Sequence, residues 1–254
     1  MKECSLEITK QSLIADNVYR LELSGDVSEV TTPGQFINIS LEGFFLRRPI
    51  SVCDVCHDDN GSGNGTVTIL YKTVGHGTDK LSQLPVGTRL SVLTGLGNGF
   101  DTKVSGEHPL LIGGGIGSAP MLMLSKKLLS EGKKVTAVLG FNSKGDVILE
   151  EELKALGSEI EVIIMTADGS CGRKGMVTDA VKETDCTYFY ACGPTPMLKA
   201  VYRETKTDGE LSFEERMGCG FGACVGCSME TASGVKRVCK DGPVFRKGDI
   251  LWKD

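Results

Sequence analysis

The chain has 254 residues, a formal net charge of −5 and ten cysteines. This length allows two compact domains and a small appendage. Because acidic and basic residues are interspersed, the sequence predicts neither a nucleic-acid partner nor binding to an anionic membrane. The stretch 109–124 is apolar but too short and too interrupted to span a bilayer. The first seven residues lack the apolar core of a signal peptide, so we expect a reducing, cytoplasmic location.

Segments with β-strand character dominate residues 1–103. They are apolar or alternate between apolar and polar residues, and Gly, Pro, Asn and Asp turns separate them. Six such segments predict an antiparallel Greek-key barrel rather than a layered α/β fold. The predicted strands are 4–10, 18–23, 36–40, 49–53, 66–73 and 89–93.

Two phrases in this region carry groups that suit a nucleotide cofactor. Arg48, Pro49 and Ser51 follow one another along a strand, where the guanidinium can bind a phosphate and the hydroxyl can hydrogen-bond to a ring nitrogen. Further on, Gly77 and Thr78 open a helical segment whose free N–H groups can face a diphosphate. Taken singly, each phrase is also compatible with ordinary strand and turn chemistry.

Strands and helices alternate from residue 104 to residue 209. This pattern predicts a parallel sheet covered by helices, a nucleotide-binding α/β domain whose ligand lies at the C-terminal ends of the strands. The predicted strands are 109–112, 135–141, 161–166 and 188–191, and the predicted helices are 119–130, 150–156, 177–183 and 196–205.

A glycine-rich turn follows the first of these strands. It contains Gly113, Gly114, Gly115 and Gly117, but Ser118 occupies the last position of the pattern G-x-G-x-x-G/A, which is therefore absent. The glycines still allow a diphosphate to approach N–H groups at a helix start.

The residues after the second strand bear on the choice between NAD and NADP. No arginine is available there for a 2′-phosphate, although Ser143 and Lys144 could bind one. Asp146 would repel a phosphate, and we therefore expect NAD.

Four cysteines near the C-terminus have the spacing C-x4-C-x2-C-x11-C. They are Cys219, Cys224, Cys227 and Cys239, and this spacing is typical of a plant-type [2Fe–2S] site. Glycines at positions 218, 220, 222 and 226 favour a tight loop with N–H groups turned toward sulfur. A structural zinc site, two disulfides or unligated core thiols are the alternatives, and the unpaired fourth cysteine disfavours zinc.

The order of these phrases resembles the ferredoxin–NADP reductase superfamily. There the R-P-x-S strand runs beside FAD, the G-G-G-x-G-x-A-P turn binds the pyridine nucleotide, and the cysteine of C-G-P-x-P-M faces the nicotinamide. The resemblance implies FAD at Arg48, Pro49, Ile50, Ser51, Leu70, Tyr71, Lys72, Gly77 and Thr78. It implies NAD at Gly113, Gly114, Gly115, Gly117, Cys192, Gly193 and Pro194, with Ser51 and Cys192 at the reacting rings. A small buried thiol at a strand end is the structural alternative for Cys192.

The sequence along nearly the whole chain is similar to those of the electron-transfer subunits of heteromeric, class 1B dihydroorotate dehydrogenases. The similarity includes R-R-P-I-S, G-G-G-I-G, C-G-P-T-P-M-L and D-G-P-V-F, whereas Cys171 stands where an aromatic residue is expected. It implies a catalytic partner that carries FMN, in a heterotetramer with two copies of each subunit, acting in pyrimidine biosynthesis. Electrons would pass from the FMN through the cluster and FAD to NAD.

The expected architecture is an α+β multidomain chain. It comprises an FAD-binding barrel (1–103), an NAD-binding α/β domain (104–209) and a [2Fe–2S] module (210–254). No segment resembles a site for an organic acid substrate, in agreement with a chain that transfers electrons and leaves substrate oxidation to a partner. A reductase serving ferredoxin, a hydrogenase or a sulfur-reducing partner, and a zinc-stapled binding module without redox activity, are the competing hypotheses.

Overall fold

The first part of the computed structural model, which describes residues 1–58 and 61–252, is a closed barrel of six antiparallel strands. Its elements are β1 (Lys2–Ala15), β2 (Val18–Asp26), β3 (Phe36–Ile39), β4 (Arg48–His57), β5 (Asn64–Lys72), α1 (His76–Ser82) and β6 (Arg89–Leu96). The strand order is β1-β2-β5-β4-β3-β6, and pairing of β6 with both β1 and β3 closes the barrel.

Side-chain alternation explains why these strands form a barrel. In β1, Cys4, Leu6 and Ile8 point into the interior and the residues between them point outward. A closed barrel leaves no free strand edge, and its interior is filled by such apolar side chains. The predicted six-stranded barrel is confirmed.

The second part is a seven-stranded sheet. Its elements are β7 (Pro109–Gly114), α2 (Ala119–Ser130), β8 (Val135–Phe141), α3 (Glu150–Lys154), β9 (Ile160–Thr166), β10 (Arg173–Lys174), α4 (Val177–Glu183), β11 (Tyr188–Cys192), α5 (Thr195–Glu204) and β12 (Gly209–Ser212), with β15 (Val244–Arg246) from the end of the chain. The strand order is β10-β9-β8-β7-β11-β12-β15, with β15 antiparallel at one edge.

The central strands of this sheet are buried on both faces. Every residue of β7 and β11 is buried, as expected for a parallel sheet with helices on both sides. The predicted parallel α/β sheet is confirmed. The longest helix, α2, has 12 residues, and no helix within residues 1–58 and 61–252 is long and apolar enough to cross a membrane.

The C-terminal region is joined to the sheet by strand pairing. It contains β13 (Ser228–Thr231), β14 (Gly234–Arg237) and α6 (Val238–Asp241), and then β15 pairs with β12. The expected boundary between residues 209 and 210 falls inside β12. The sequence analysis did not predict strands β12 and β15, because they have only four and three residues.

Candidate cofactor sites

A cleft of about 340 Å³ lies where the barrel meets the sheet. Strands β4 and β5 form one wall, and the turn after β7 and the end of β11 form the other. The cleft brings together most of the residues predicted to bind FAD. The predicted site residues that line it are Pro49, Ile50, Ser51, Leu70, Tyr71, Lys72, Thr78, Gly117 and Cys192.

The predicted phosphate-binding residues converge beside this cleft. The Arg48 guanidinium lies against the first turn of α1, where a Cβ atom on Gly77 would be 2.0 Å from Arg48 Nε. The guanidinium carbon is 4.7 Å from the centre of the Phe44 ring. The Thr78 hydroxyl closes the turn by accepting a hydrogen bond from the Val74 N–H at 3.0 Å. A glycine at position 77 therefore allows a fixed cation to lie at the helix start, an arrangement that suits a diphosphate.

Gly117 shapes the opposite wall of the cleft. A Cβ atom there would lie 2.6 Å from both the Cys192 carbonyl oxygen and Gly193 Cα, and neither backbone atom can move aside cheaply. Burial, reinforced by the charge of Glu214, raises the pKa of the Cys192 thiol to about 12. Cys192 is therefore a neutral thiol near pH 7, which suits a contact on an aromatic ring and not proton abstraction.

A second cleft of about 200 Å³ adjoins the first, and Lys72 lines both. The glycine turn after β7 contributes Gly114 and Gly115, and the turn after β11 contributes Pro194. The position of this cleft at the C-terminal ends of parallel strands is the usual position of a nucleotide site.

Two predicted NAD residues lie behind this wall and line neither cleft. A Cβ atom on Gly113 would lie 2.6 Å from Ser118 Oγ, and one on Gly193 would lie 3.1 Å from Gly114 Cα. Gly113 therefore lets the turn after β7 fold back against its own strand, and Gly193 lets the turn after β11 lie close to the end of β7.

The loop after β8 presents a carboxylate to the second cleft. Asp146 lines the cleft, and its Oδ2 accepts hydrogen bonds from the N–H and hydroxyl of Ser143 at 3.3 and 3.2 Å. Its Oδ1 lies 3.8 Å from Lys72 Nζ. Ser143 is thus already engaged by an acidic group, which disfavours a 2′-phosphate in this loop.

The four predicted ligand cysteines lie close together. The side chains of Cys219 and Cys224 are close enough to interact, and so are those of Cys227 and Cys239, while Cys219 also influences Cys239. Among residues 1–58 and 61–252, no three His, Cys, Asp or Glu side chains converge on the position of a single metal ion. Two sulfurs for each of two irons is the arrangement that a [2Fe–2S] cluster requires, so the donor set fits this cluster better than it fits zinc.

Backbone N–H groups point at these sulfurs. Cys224 N–H donates to Cys219 Sγ and Cys239 N–H donates to Cys227 Sγ, each at 3.4 Å. Burial alone would raise the pKa of Cys219, but the N–H groups around its sulfur outweigh burial and lower the pKa to about 6. Of the four glycines in the loop, Gly220 and Gly222 have positive φ, at 79° and 89°.

The segments that flank the four cysteines also line the first cleft, which the sequence analysis missed. The residues that they contribute are Phe213, Glu214, Glu215, Met217 and Pro243. The phrase F-E-E-R-M at residues 213–217, just before the first cysteine of the motif, was the available signal. Cys171 lies apart from the cysteine pairs and exchanges hydrogen bonds with the Thr166 hydroxyl through its backbone.

A barrel joined to a parallel sheet, with a shared cleft and a four-cysteine loop, defines an oxidoreductase of the flavin- and nicotinamide-dependent kind. Residues 214–251 match the iron-sulfur cluster binding domain of dihydroorotate dehydrogenase B, and residues 111–203 match the oxidoreductase NAD-binding domain.

Comparison with whole proteins is more specific. The chain is 42% identical to the dihydroorotate dehydrogenase B (NAD(+)) electron transfer subunit of Shouchella clausii, over 98% of each chain. It is 43% identical to the corresponding subunit of Bacillus caldolyticus, over 97% of each chain. The chain therefore belongs to the family of dihydroorotate dehydrogenase B electron transfer subunits.

Solved structures agree on the fold. A chain from an NADH-dependent reduced ferredoxin-NADP oxidoreductase has a TM-score of 0.85 and 31% identity, over 97% of this chain and 90% of the other. A ferredoxin NADP+ reductase from Neisseria gonorrhoeae, solved with FAD and NADP, has a TM-score of 0.66 at 16% identity, over 80% of this chain and 90% of the other.

Proposed function

We propose that this chain is the electron-transfer subunit of an NAD-dependent dihydroorotate dehydrogenase and serves pyrimidine biosynthesis. It binds FAD and a [2Fe–2S] cluster, and it uses NAD as the terminal electron acceptor. The observation that carries the proposal is the shared cleft, because the barrel, the sheet and the segments that flank the four cysteines all line it. When bound, FAD can exchange a hydride with a nicotinamide and single electrons with an iron–sulfur cluster.

The barrel residues would hold the flavin nucleotide. Arg48 and the start of α1 would bind the diphosphate, with Gly77 leaving room for the guanidinium. Ser51 would donate a hydrogen bond to the ring, and Tyr71 would stay a neutral phenol there because burial raises its pKa. Cys192 and the Gly117 turn would place the nicotinamide from the other side.

The cysteine pairs would hold the cluster near the surface of the chain. Phe221 and Val225 in the loop are 42% and 77% exposed, and this leaves an apolar surface beside the ligands. Such a surface suits docking of a catalytic subunit. We assign FMN and dihydroorotate oxidation to that subunit, in a heterotetramer with two copies of each chain, located in the cytoplasm. The proposed limits of the three domains are residues 1–103, 104–209 and 210–254.

A second candidate is a reductase that exchanges electrons with ferredoxin. The observation in its favour is the structural similarity to the NADH-dependent reduced ferredoxin-NADP oxidoreductase, which extends over 97% of this chain. The higher identity to dihydroorotate dehydrogenase B subunits, 42% and 43% against 31%, places this candidate second.

The decisive experiment is anaerobic co-expression with a candidate FMN-containing catalytic subunit. Dihydroorotate should bleach the flavin and iron–sulfur absorption of this chain only when the partner is present, and NAD should restore it. Reduced ferredoxin should act poorly in the same assay. Reduction by ferredoxin but not by dihydroorotate would favour the second candidate, and a colourless preparation without iron or sulfide would refute both.

A further inference from the structure

Asn38 is a buried polar residue that none of the predicted sites includes. It lies on β3 and is 1% exposed, on the face of the strand opposite to Ile37 and Ile39, which fill the barrel interior. Across β3 it pairs with Pro49 of β4 on one side and with Leu93 of β6 on the other. Asn38 therefore belongs to the strand next to the one proposed to hold the flavin.

The Asn38 amide reaches out of the barrel to the cysteine loop. Its Nδ2 donates a hydrogen bond to the Cys219 carbonyl oxygen at 3.3 Å. The opposite amide orientation would set two acceptor oxygens against each other, so chemistry selects the orientation with nitrogen toward Cys219. The contact joins the barrel to the first cysteine of the cluster motif.

This contact comes with a buried polar atom that stays unpaired. Within the described residues, Asn38 Oδ1 has no hydrogen-bond partner. A buried unpaired amide oxygen is unfavourable, and an apolar side chain at this position would avoid that cost. A polar residue that breaks this rule is expected where a local interaction matters for the site.

Gly220 provides the space that the amide occupies. Its φ is 79°, and a Cβ atom there would lie 2.2 Å from Asn38 Nδ2. An alanine at position 220 would therefore both strain the backbone and displace the amide. Asn38 and Gly220 are therefore complementary in shape, because the space left by the missing side chain at position 220 holds the amide.

We propose that Asn38 is a positioning residue for the [2Fe–2S] centre, because it anchors the Cys219 end of the loop to the barrel strand beside the flavin strand. The placement of the Cys219–Cys224 pair is then set by the barrel, not by the C-terminal module alone. The inference rests on the proposed function only in that the four thiolates hold a cluster.

The test is a double-mutant cycle on the complete chain, prepared anaerobically with its cofactors. The variants are Asn38→Ala, Gly220→Ala and the combination. The readouts are iron and sulfide per chain, the rate at which a chelator bleaches the cluster, and the EPR spectrum of the reduced cluster. Asn38→Ala should lose the cluster about 3- to 10-fold faster, because one hydrogen bond is removed. Gly220→Ala should lose the cluster faster still. The double variant should lose it more slowly than the product of the two single rate increases predicts, because Asn38→Ala removes the clash with the new methyl group.

Gly222 supplies the matched control. Its φ is 89°, and a Cβ atom there would meet only the flexible Lys240 side chain, at 2.6 Å. Gly222→Ala therefore adds similar backbone strain without touching Asn38, and its effect should multiply with that of Asn38→Ala. Thr94→Ala removes another fully buried polar side chain of the barrel, one bonded to Cys4 and Lys2, and should leave the rate of cluster loss unchanged.

A second substitution guards against simple loss of folding. Asn38→Asp keeps the volume of the side chain but replaces the donor by an acceptor, so it should release the cluster at least as fast as Asn38→Ala. Wild-type rates of loss and a wild-type EPR spectrum in both Asn38 variants would overturn the inference, and so would equal coupling to Gly220 and Gly222. A wild-type protein without iron and sulfide would instead refute the proposed function.

Discussion

The first cleft and the cysteine loop are built in different ways. Paired strands and a helix start form most of the cleft wall, so its shape follows mainly from the barrel and the sheet. Residues 213–227 form neither helix nor strand, and isolated hydrogen bonds, including N–H donors to sulfur, hold them in place of a ladder. The barrel and sheet walls of the cleft are therefore preformed, whereas a metal bound by the cysteines would add to the order of the loop.

The largest effect is expected from Cys224→Ser. The substitution removes one of the four predicted ligand sulfurs, so iron and sulfide content should fall to near zero. Because the barrel and the sheet form most of the cleft wall, NADH should still reduce the FAD in stopped-flow absorbance, while reduction by the partner should stop. Cys186→Ser is the control, since Cys186 interacts with Thr207 away from the loop. Loss of NADH-dependent flavin reduction in Cys224→Ser would show that the two regions are not independent.

Gly117→Ala tests the preformed cleft from the other side. The new methyl group would meet the backbone at Cys192 and Gly193, which cannot rearrange cheaply. NADH-dependent flavin reduction should slow about tenfold or more, the kinetic equivalent of roughly 1.4 kcal/mol. The cluster content should stay near that of the wild type. Gly248→Ala, at a glycine with open space around it, should have little effect on either measurement.

Glu210→Gln tests the junction between the sheet and the C-terminal region. Burial raises the pKa of Glu210 from 4.5 to about 7, despite a hydrogen bond from the Asp101 N–H. The folded state then binds the proton more tightly than the unfolded state, so this carboxyl lowers stability as pH rises from 4.5 through 7. Above both values the cost is at most about 3.5 kcal/mol, since one pKa unit corresponds to roughly 1.4 kcal/mol.

Denaturant unfolding at two pH values measures this effect. Glu210→Gln should be more stable than the wild type at pH 8.5, and the difference should vanish near pH 4. An advantage that is the same at both pH values would contradict the assignment of the effect to ionisation of Glu210.

The smallest effect is expected from Asp146→Asn in the nucleotide cleft. Removal of the carboxylate leaves Lys72 free to face a 2′-phosphate, so KM for NADPH should fall several-fold, the equivalent of about 1 kcal/mol. Asp54→Asn is the matched control, because Asp54 pairs with Lys126 of α2 across the same boundary but lines neither cleft. An equal change of KM in both variants would remove Asp146 from nucleotide selection.

Sequence patterns predicted the parts of the fold that local physics determines. Alternation between apolar and polar residues identified the barrel strands, and helix α2 lies at residues 119–130 as predicted. Cysteine spacing predicted a [2Fe–2S] site in the segment that matches the iron-sulfur cluster binding domain of dihydroorotate dehydrogenase B. Strands β12 and β15 were missed because they are short and pair across a long stretch of chain.

Contacts between distant segments were the least predictable part of the site. Gly113 and Gly193 stand in nucleotide motifs, yet they lie behind the cleft wall, which only the packing of two turns reveals. The role of Asn38 could not be predicted either, since a single polar residue in an apolar strand does not by itself indicate a contact with a distant segment. Its partner, Cys219, lies 181 positions further along the chain.

Pairing of β12 with β15 has a consequence for how the electrons travel. The strand after the last cysteine is hydrogen-bonded into the nucleotide sheet, through Leu211 opposite Phe245 and Ser212 opposite Val244. The iron–sulfur region therefore cannot swing between a donor and an acceptor as a tethered carrier does. It works as a fixed-distance relay, and its internal transfer rate should not depend on solvent viscosity.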